Sequence, residues 1–527
     1  MHTVYALLLF ANCVISQQSL LGDNLSNSFD ASHADYSSLF SENSNIRPLI
    51  SPEDLVVATV LSAEKQTFTG IGGSGAWWPY DIYKFPESIR QNVSRLLFAP
   101  SGLGLTSYRW NVGGGGVNVT DPIRAPTTFY VGPKTYDWSA DAEGVYFLKE
   151  AARYKVPHIA AFVNSAPPPF TSSGGSCNGT FITGKEDAYG EYIADVIAHW
   201  REEGVGINLV SPMNEPDGNF PDCRQEGMEV KVEQRAAVIR GVYDALVEHG
   251  LQDAVGIIAD ESNSTNIAID HYEKWLTKDV ANMITAFVHH TYNFPNDGAY
   301  AEYINMAQAI VPSKPTRMSE ICCSIGRADA SDAHFSQGYD PTITGGLHFA
   351  SLMFQSFIVA SQAHYDFWTL VSDKMGCSPF DNDTCATTAN ANGWQDGLIY
   401  YDPKYASNGN HELYLTKHYW TMKHMTNFIT PGSVRHEVLS ASSQARTLAV
   451  YTPTEIRIIS INPTTAPLAF LVLFERGAGL DLVAKVAYRT SGTEDWGAPE
   501  LPAKLANGAW MMSLASNSLT SFIFSRN

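Results

Sequence analysis

The chain has 527 residues, 44% of them hydrophobic and 17% charged, which is enough apolar material for buried cores and excludes extensive intrinsic disorder. Its 34 basic and 54 acidic residues give a net charge of −20 without long acidic blocks, a surface that repels phosphate backbones and so excludes a nucleic-acid partner. Such a length points to more than one domain unless an α/β barrel absorbs most of it.

In chain order, residues 1–16 carry the apolar run Tyr5-Ala6-Leu7-Leu8-Leu9-Phe10-Ala11 and end in Val14-Ile15-Ser16 before the polar Gln17, the pattern of a signal peptide. That run is too short to span a bilayer, and no later segment reaches ~18 uninterrupted apolar residues, so no membrane partner is expected. Cleavage would remove Cys13 and leave an even number of cysteines, which suits an oxidising compartment. Sequons at Asn24, Asn92, Asn118, Asn178, Asn263 and Asn382 add the signature of a glycoprotein, and a secreted, extracellular protein is expected. Residues 17–64 read as an irregular Ser/Asn/Asp-rich lead-in followed by a strand-like run, Leu55–Leu61, that can join a terminal β-domain.

From 65 to 430 a short apolar run, a polar loop and an amphipathic helical stretch alternate. The expected strands are Thr67–Gly72, Gly104–Trp110, His158–Val163, Gly206–Val210, Val255–Ala259, Met283–His289, Thr316–Ser319 and His364–Leu370. In the helical stretch Asp187–Gly204, Tyr189, Ile193, Ile197 and Trp200 share one face. Val230–His249, Ile267–Leu276, Tyr300–Ile310 and Leu347–Ala360 read similarly. Eight apolar strands alternating with helices predict an α/β fold, a (β/α)8 TIM barrel, because its parallel strands are covered on both faces. A doubly wound sheet fits less well, since no GxGxxG follows the first strand. After Pro431-Gly432 the texture changes to short strands with little helix, and 431–527 reads as an antiparallel β-sandwich.

Barrel enzymes carry their chemistry at the C-terminal ends of strands. Strand four ends in Ser211-Pro212-Met213-Asn214-Glu215-Pro216 and strand seven in Arg317-Met318-Ser319-Glu320. A lone strand-end Glu is commonly a solvated loop residue. Two carboxylates presented to one mouth from opposite sides, however, are what glycosidic cleavage requires. Asp260 and Glu261 after strand five compete, although their context also suits a helix N-cap. Aromatic residues make up 12% of the chain, an excess that fits a flat sugar ligand, and Trp77, Trp78, Tyr108, Phe170, Trp368 and Trp394 are candidates for stacking. Trp78 and Trp368 lead, from the first loop and the eighth strand end. Gly113–Gly116 is not followed by the Lys-Ser/Thr of a phosphate cradle and reads as a tight substrate loop. No CxxC or HExxH spacing occurs and His289-His290 lacks a third ligand, so neither metal nor other cofactor is expected. Cys377 is expected to pair with Cys385 and Cys177 with Cys223; the adjacent Cys322-Cys323 either closes a strained ring or goes to separate partners.

These residues resemble the clan of retaining (β/α)8 glycosidases: Asn214-Glu215, Glu320, Arg109 on strand two, His290-Thr291-Tyr292 after strand six and Trp368 on strand eight. A barrel with a sandwich built from both termini is similar to glycoside hydrolase family 30. The segments Gly70-Ile71-Gly72-Gly73-Ser74-Gly75-Ala76-Trp77-Trp78-Pro79 and Tyr108-Arg109-Trp110-Asn111-Val112-Gly113-Gly114-Gly115 look most like its fungal endo-β-1,6-galactanase branch. The resemblance implies Glu320 as nucleophile and Glu215 as acid/base, with Arg109 and Tyr292 holding the nucleophile's charge and Asn214 donating to the sugar 2-hydroxyl. His290 would orient the network, although a strand-end His is as often structural. The expected substrate is β-1,6-galactan, a polysaccharide cut by a monomer; β-1,6-glucan, xylan or glucuronoxylan under the same mechanism, and a catalytically silent sugar-binding glycoprotein, are the alternatives.

Overall fold

A computed structural model describes residues 55–312, 314–440, 442–475 and 481–526; the expected signal peptide and the lead-in through residue 54 lie outside them. Eight strands, Gly70–Gly75, Ser107–Asn111, His158–Phe162, Leu209–Ser211, Gly256–Ser262, Ile284–His290, Thr316–Glu320 and His364–Phe367, close into a barrel in chain order. Every neighbouring pair is parallel. Each of the eight predicted runs overlaps one of these strands.

The first strand is displaced by three residues at both ends, running from Gly70 to Gly75 rather than from Thr67 to Gly72. Its Gly-rich sequence has no apolar side chains to mark its end, and it uses glycine because the second strand lies so close. A Cβ on Gly75 would sit 2.0 Å from the Tyr108 hydroxyl. Inside the barrel, Ala160, Leu209, Ile258, Ala286 and Val288 form their own small apolar cluster. Outside it, helix Glu186–Glu202 buries Tyr189, Ile193, Ile197 and Trp200, the face its periodicity predicted.

A nine-stranded sheet forms the second layer structure, and Leu55–Thr67 is one of its central strands. That strand pairs antiparallel with Val434–Ser440 and parallel with Leu468–Phe474, so the sheet draws on both ends of the described chain. Its alternating burial, with Val56, Ala58 and Val60 inward, is the period-two pattern of a half-covered strand. Trp510 meets Phe524 edge-on at 5.0 Å although their strands are not hydrogen-bonded to each other, so the sheet folds over into a sandwich.

Sandwich and barrel are tied by helix Lys417–Phe428, whose buried His424 bridges Ser521 (2.7 Å) and Thr490 (3.0 Å). The insertion after the eighth strand carries a three-stranded sheet, Val371–Ser372, Ile399–Tyr401 and Leu413–Leu415, and the Cys377–Cys385 disulfide. Cys177 pairs with Cys223, and Cys322 pairs with its neighbour Cys323. Among the described residues, no helix is long and apolar enough to cross a membrane.

Candidate active site

The C-terminal ends of the second, fourth, fifth, sixth and seventh barrel strands converge on one cluster of charged side chains. Arg109 is 0% exposed, and its guanidinium lies 3.8 Å over the Phe162 ring, which fixes its plane. From there Nη1 donates to Glu320 (2.5 Å) and Ser74 (3.2 Å), while Nη2 donates to the Asn214 amide oxygen (2.5 Å). Nη2 also stands 3.5 Å from Glu261. The planar fork therefore sets the positions of three hydrogen-bonded side chains and pairs with a fourth, Glu261.

Glu320 accepts a second hydrogen bond from the Tyr292 hydroxyl at 3.0 Å. Burial, and then the charge of Glu320, push the Tyr292 phenol far above its ordinary range, so it remains a donor. Across the mouth, Glu215 meets His290 Nδ1 at 3.1 Å. One carboxyl oxygen of Glu215, one of Glu320 and one ring nitrogen of His290 all lie within 4.8 Å of one another.

The arrangement separates the protonation preferences of the carboxylates. Burial raises the pKa of Glu215, with Glu320 adding to it against the opposing pull of His290 and Arg109. Burial acts on Glu261 in the same direction, but Arg109 and His290 outweigh it and hold this carboxylate at about 2. His290 bonds Glu261 through Nε2 at 3.0 Å and is itself pushed up to about 10, because Glu320, Glu215 and Glu261 together overcome its desolvation. It is a cation clasped between carboxylates.

Sequence reasoning placed Glu261 among the competitors for a carboxylate role. The structure puts it, 0% exposed, beneath the cluster, where it also accepts from Ser319. Asp260 turns the other way, onto Arg235 at 2.6 Å behind the strand. His289 likewise points outward to Tyr300 (3.1 Å), and burial with the adjacent positive His290 lowers it to about 3.

Trp78 departs from expectation. It is 1% exposed, donates its Nε1–H to the Ser74 carbonyl and packs on Phe147 at 4.5 Å, because it starts the short helix Trp78–Ile82 and folds back into the core. Its neighbour Trp77 is half-buried instead, edge-on to Trp368 at 4.7 Å and covered by the Arg124 guanidinium at 4.0 Å. Tyr108 and Phe170 are core residues, whereas Trp394 is half-buried in the insertion.

Sequence reasoning missed Glu226 altogether. Its carboxylate is 1% exposed and accepts from Gly114 N (3.1 Å) and Gly116 N (2.9 Å), pinning the glycine loop. A Cβ on Gly114 would lie 2.5 Å from the Ser165 carbonyl, so the loop is glycine-rich for packing reasons. No spacing in the sequence links residue 226 to that loop.

The donor atoms of Glu215, His290 and Glu320 are close enough for one cation. Both His290 nitrogens already hydrogen-bond carboxylates and Arg109 sits on Glu320, which leaves no free imidazole lone pair for a metal. The arrangement instead offers one carboxyl, Glu215, whose burial favours the protonated form, and one carboxylate, Glu320, paired with Arg109.

The fold has many solved counterparts. It is similar to a conserved exported protein from Bacteroides fragilis, with a TM-score of 0.75, 18% identity and coverage of 89% of this chain and 100% of that one. The catalytic domain of the xylanase C of Talaromyces cellulolyticus, from glycoside hydrolase family 30, matches at TM-score 0.66 and 20% identity, over 89% of this chain and 99% of that one. An endo-β-1,6-glucanase matches at TM-score 0.64 and 15% identity, over 89% of this chain and 94% of its own. No curated protein matches the sequence. The model of O-Glycosyl hydrolase family 30 matches residues 54–376, across the barrel and its active-site strands, and the chain belongs to that family.

Proposed function

We propose that the protein is a secreted, retaining hydrolase of β-1,6-galactan that works by double displacement, with Glu320 as nucleophile and Glu215 as acid/base. The observation that carries the mechanism is that one carboxyl oxygen of Glu215 and one of Glu320 lie within 4.8 Å of each other. Retaining enzymes hold their carboxyl groups ~5–5.5 Å apart, whereas inverting ones need ~6.5–9.5 Å to admit a water.

In the first step Glu320 attacks the anomeric carbon and the protonated Glu215 gives its proton to the departing glycosidic oxygen. That bond breaks and a covalent glycosyl–enzyme ester forms. Esterification removes the negative charge of Glu320 and with it one cause of the raised Glu215 pKa. Glu215, now a carboxylate, takes a proton from water as the water displaces Glu320. Because the oxygen of Asn214 already accepts from Arg109, its NH2 is left to donate to the sugar 2-hydroxyl.

The galactan assignment is supported by the loop sequences 70–79 and 108–115, and secretion by the signal-like start of the chain together with its disulfides. Incubation with de-arabinosylated β-1,6-galactan, β-1,6-glucan and glucuronoxylan in parallel tests the substrate. A ladder of galacto-oligosaccharides from the first alone is expected; release from either other polymer instead discards galactan. For the mechanism, Glu320→Gly given azide and an activated β-glycoside should yield the α-glycosyl azide, and Glu215→Ala the β-glycosyl azide. The reverse stereochemistry would exchange the two roles.

A further inference from the structure

Phe335 stands 53% exposed on the loop that follows the nucleophile strand. Its ring is 6.0 Å from Tyr292, which bonds Glu320, and 5.5 Å from Trp394, which belongs to the insertion after the eighth strand. Three rings from three separate loops thus form a row that begins at the reacting carboxylate and runs outward. A large aromatic face left in water costs free energy unless something covers it, and this one is continuous with the cleft rather than isolated.

The two outer rings are held by the Cys322–Cys323 pair. The Cys323 carbonyl accepts from Ser336 N, next to Phe335, at 2.8 Å. Its N–H donates to the Gln395 carbonyl, next to Trp394, at 3.2 Å. Cys322 Sγ lies 3.9 Å from the Tyr292 hydroxyl, and the preceding Ile321 carbonyl accepts from Trp368 N at 3.0 Å. Cys323 adopts a φ of 65°, a backbone region that costs energy for any residue but glycine. The ring closed with Cys322 keeps it there, and Gly338 N to Gly393 O (2.8 Å) and Asp340 N to the Gln395 side chain (2.6 Å) lace the loops together further out.

We propose that Phe335 and Trp394 form an additional carbohydrate subsite, taking the C–H face of a pyranose unit of the polysaccharide beyond the cleaved bond's immediate neighbours, and that the Cys322–Cys323 ring is its positioning element. The proposal rests on the glycosidase reading above but not on the identity of the polymer. An aromatic contact of this kind is worth up to roughly a tenfold effect for each ring.

The test compares kcat/KM on the polymer that the wild type degrades with kcat/KM on an activated aryl monoglycoside. Phe335→Ala and Trp394→Ala should each lower the polymer-to-monoglycoside ratio severalfold, up to about tenfold, and Cys322→Ala/Cys323→Ala should lower it in the same sense. A ratio that stays constant, whether both activities fall together or neither moves, overturns the subsite. Retardation of Glu320→Gln in gels containing each of the three polysaccharides gives a readout that needs no turnover. Adding Phe335→Ala should abolish most of that retardation, and undiminished retardation also overturns the proposal. Failure to cut galactan, with retardation by another of the polysaccharides, would instead count against the substrate assignment alone.

Discussion

Replacing Glu261 by Gln keeps the side chain's size and removes one buried negative charge. The native carboxylate is held at about 2, against ~4.3 for an unfolded glutamate. Each unit of difference is worth ~1.36 kcal/mol, so the ionised form contributes about 3 kcal/mol to folding at neutral pH. Because the folded pKa is the lower one, that contribution is complete above the unfolded value and is lost as pH falls through the folded one. Linkage leaves about 2 kcal/mol of it near pH ~3.5. Urea denaturation followed by tryptophan fluorescence should therefore show Glu261→Gln less stable by about 3 kcal/mol at pH ~7, a gap that narrows with acid. The variant also strips His290 of one of its three carboxylate neighbours, so the imidazolium, raised to about 10 in the intact site, should release its proton at lower pH in an NMR titration. A stability gap below ~1 kcal/mol, or one that does not change with pH, would show that Glu261 is not ionised against Arg109 and His290 and would refute the electrostatic account of the site.

Arg109→Lys keeps the charge but loses the fork that reaches Glu320, Asn214 and Ser74 together; loss of two buried charge-assisted bonds is about 3 kcal/mol, or roughly a hundredfold in kcat/KM, and less than tenfold would contradict the positioning role. Trp78→Ala should destabilise the fold by ~3–5 kcal/mol in chemical denaturation, as core tryptophans do, while Trp77→Ala should act mainly on kcat/KM; the opposite pattern would return Trp78 to the cleft. Opening the Cys177–Cys223 disulfide, with a sequence separation of 46, should lower the unfolding free energy by about 4 kcal/mol. Opening Cys377–Cys385, with a separation of 8, should cost about 2.5 kcal/mol, and the order of the two denaturation midpoints checks the estimate.

The barrel was legible because its strands are covered on both faces and therefore read as mainly apolar runs, from His158–Phe162 to Ile284–His290. The first strand was placed less well because glycines, chosen for close approach, carry no hydrophobic signal. The positions of Glu215 and Glu320 followed from topology alone: fix the strand order and the two ends face each other. Contacts made through loops were not accessible in this way. The pinning of Gly114 by Glu226, 112 residues away, leaves no periodic trace.

The aim of side chains at the strand ends was the other hidden quantity, and it decides which carboxylate does what. Strict alternation sends neighbouring residues to opposite faces but does not say which one goes inward. The register between the fifth and sixth strands shifts between Asp260 and Ser262, and Glu261 there has a φ of 64°. A second shift separates His289 from His290 against the seventh strand. Irregularities of this kind re-aim side chains, and they are common beside active sites. On the fifth strand the shift reverses the phase set by the inward Ile258, turning Glu261 into the barrel and Asp260 against the helices, whereas His290 keeps the inward phase of Ala286 and Val288 and leaves His289 outside. The consequence is chemical. With His290 and Arg109 as cations against Glu261 and Glu320, a proton on Glu215, which its burial favours, balances the charge of the cluster, and that is the state the proposed acid catalyst needs before the first bond breaks.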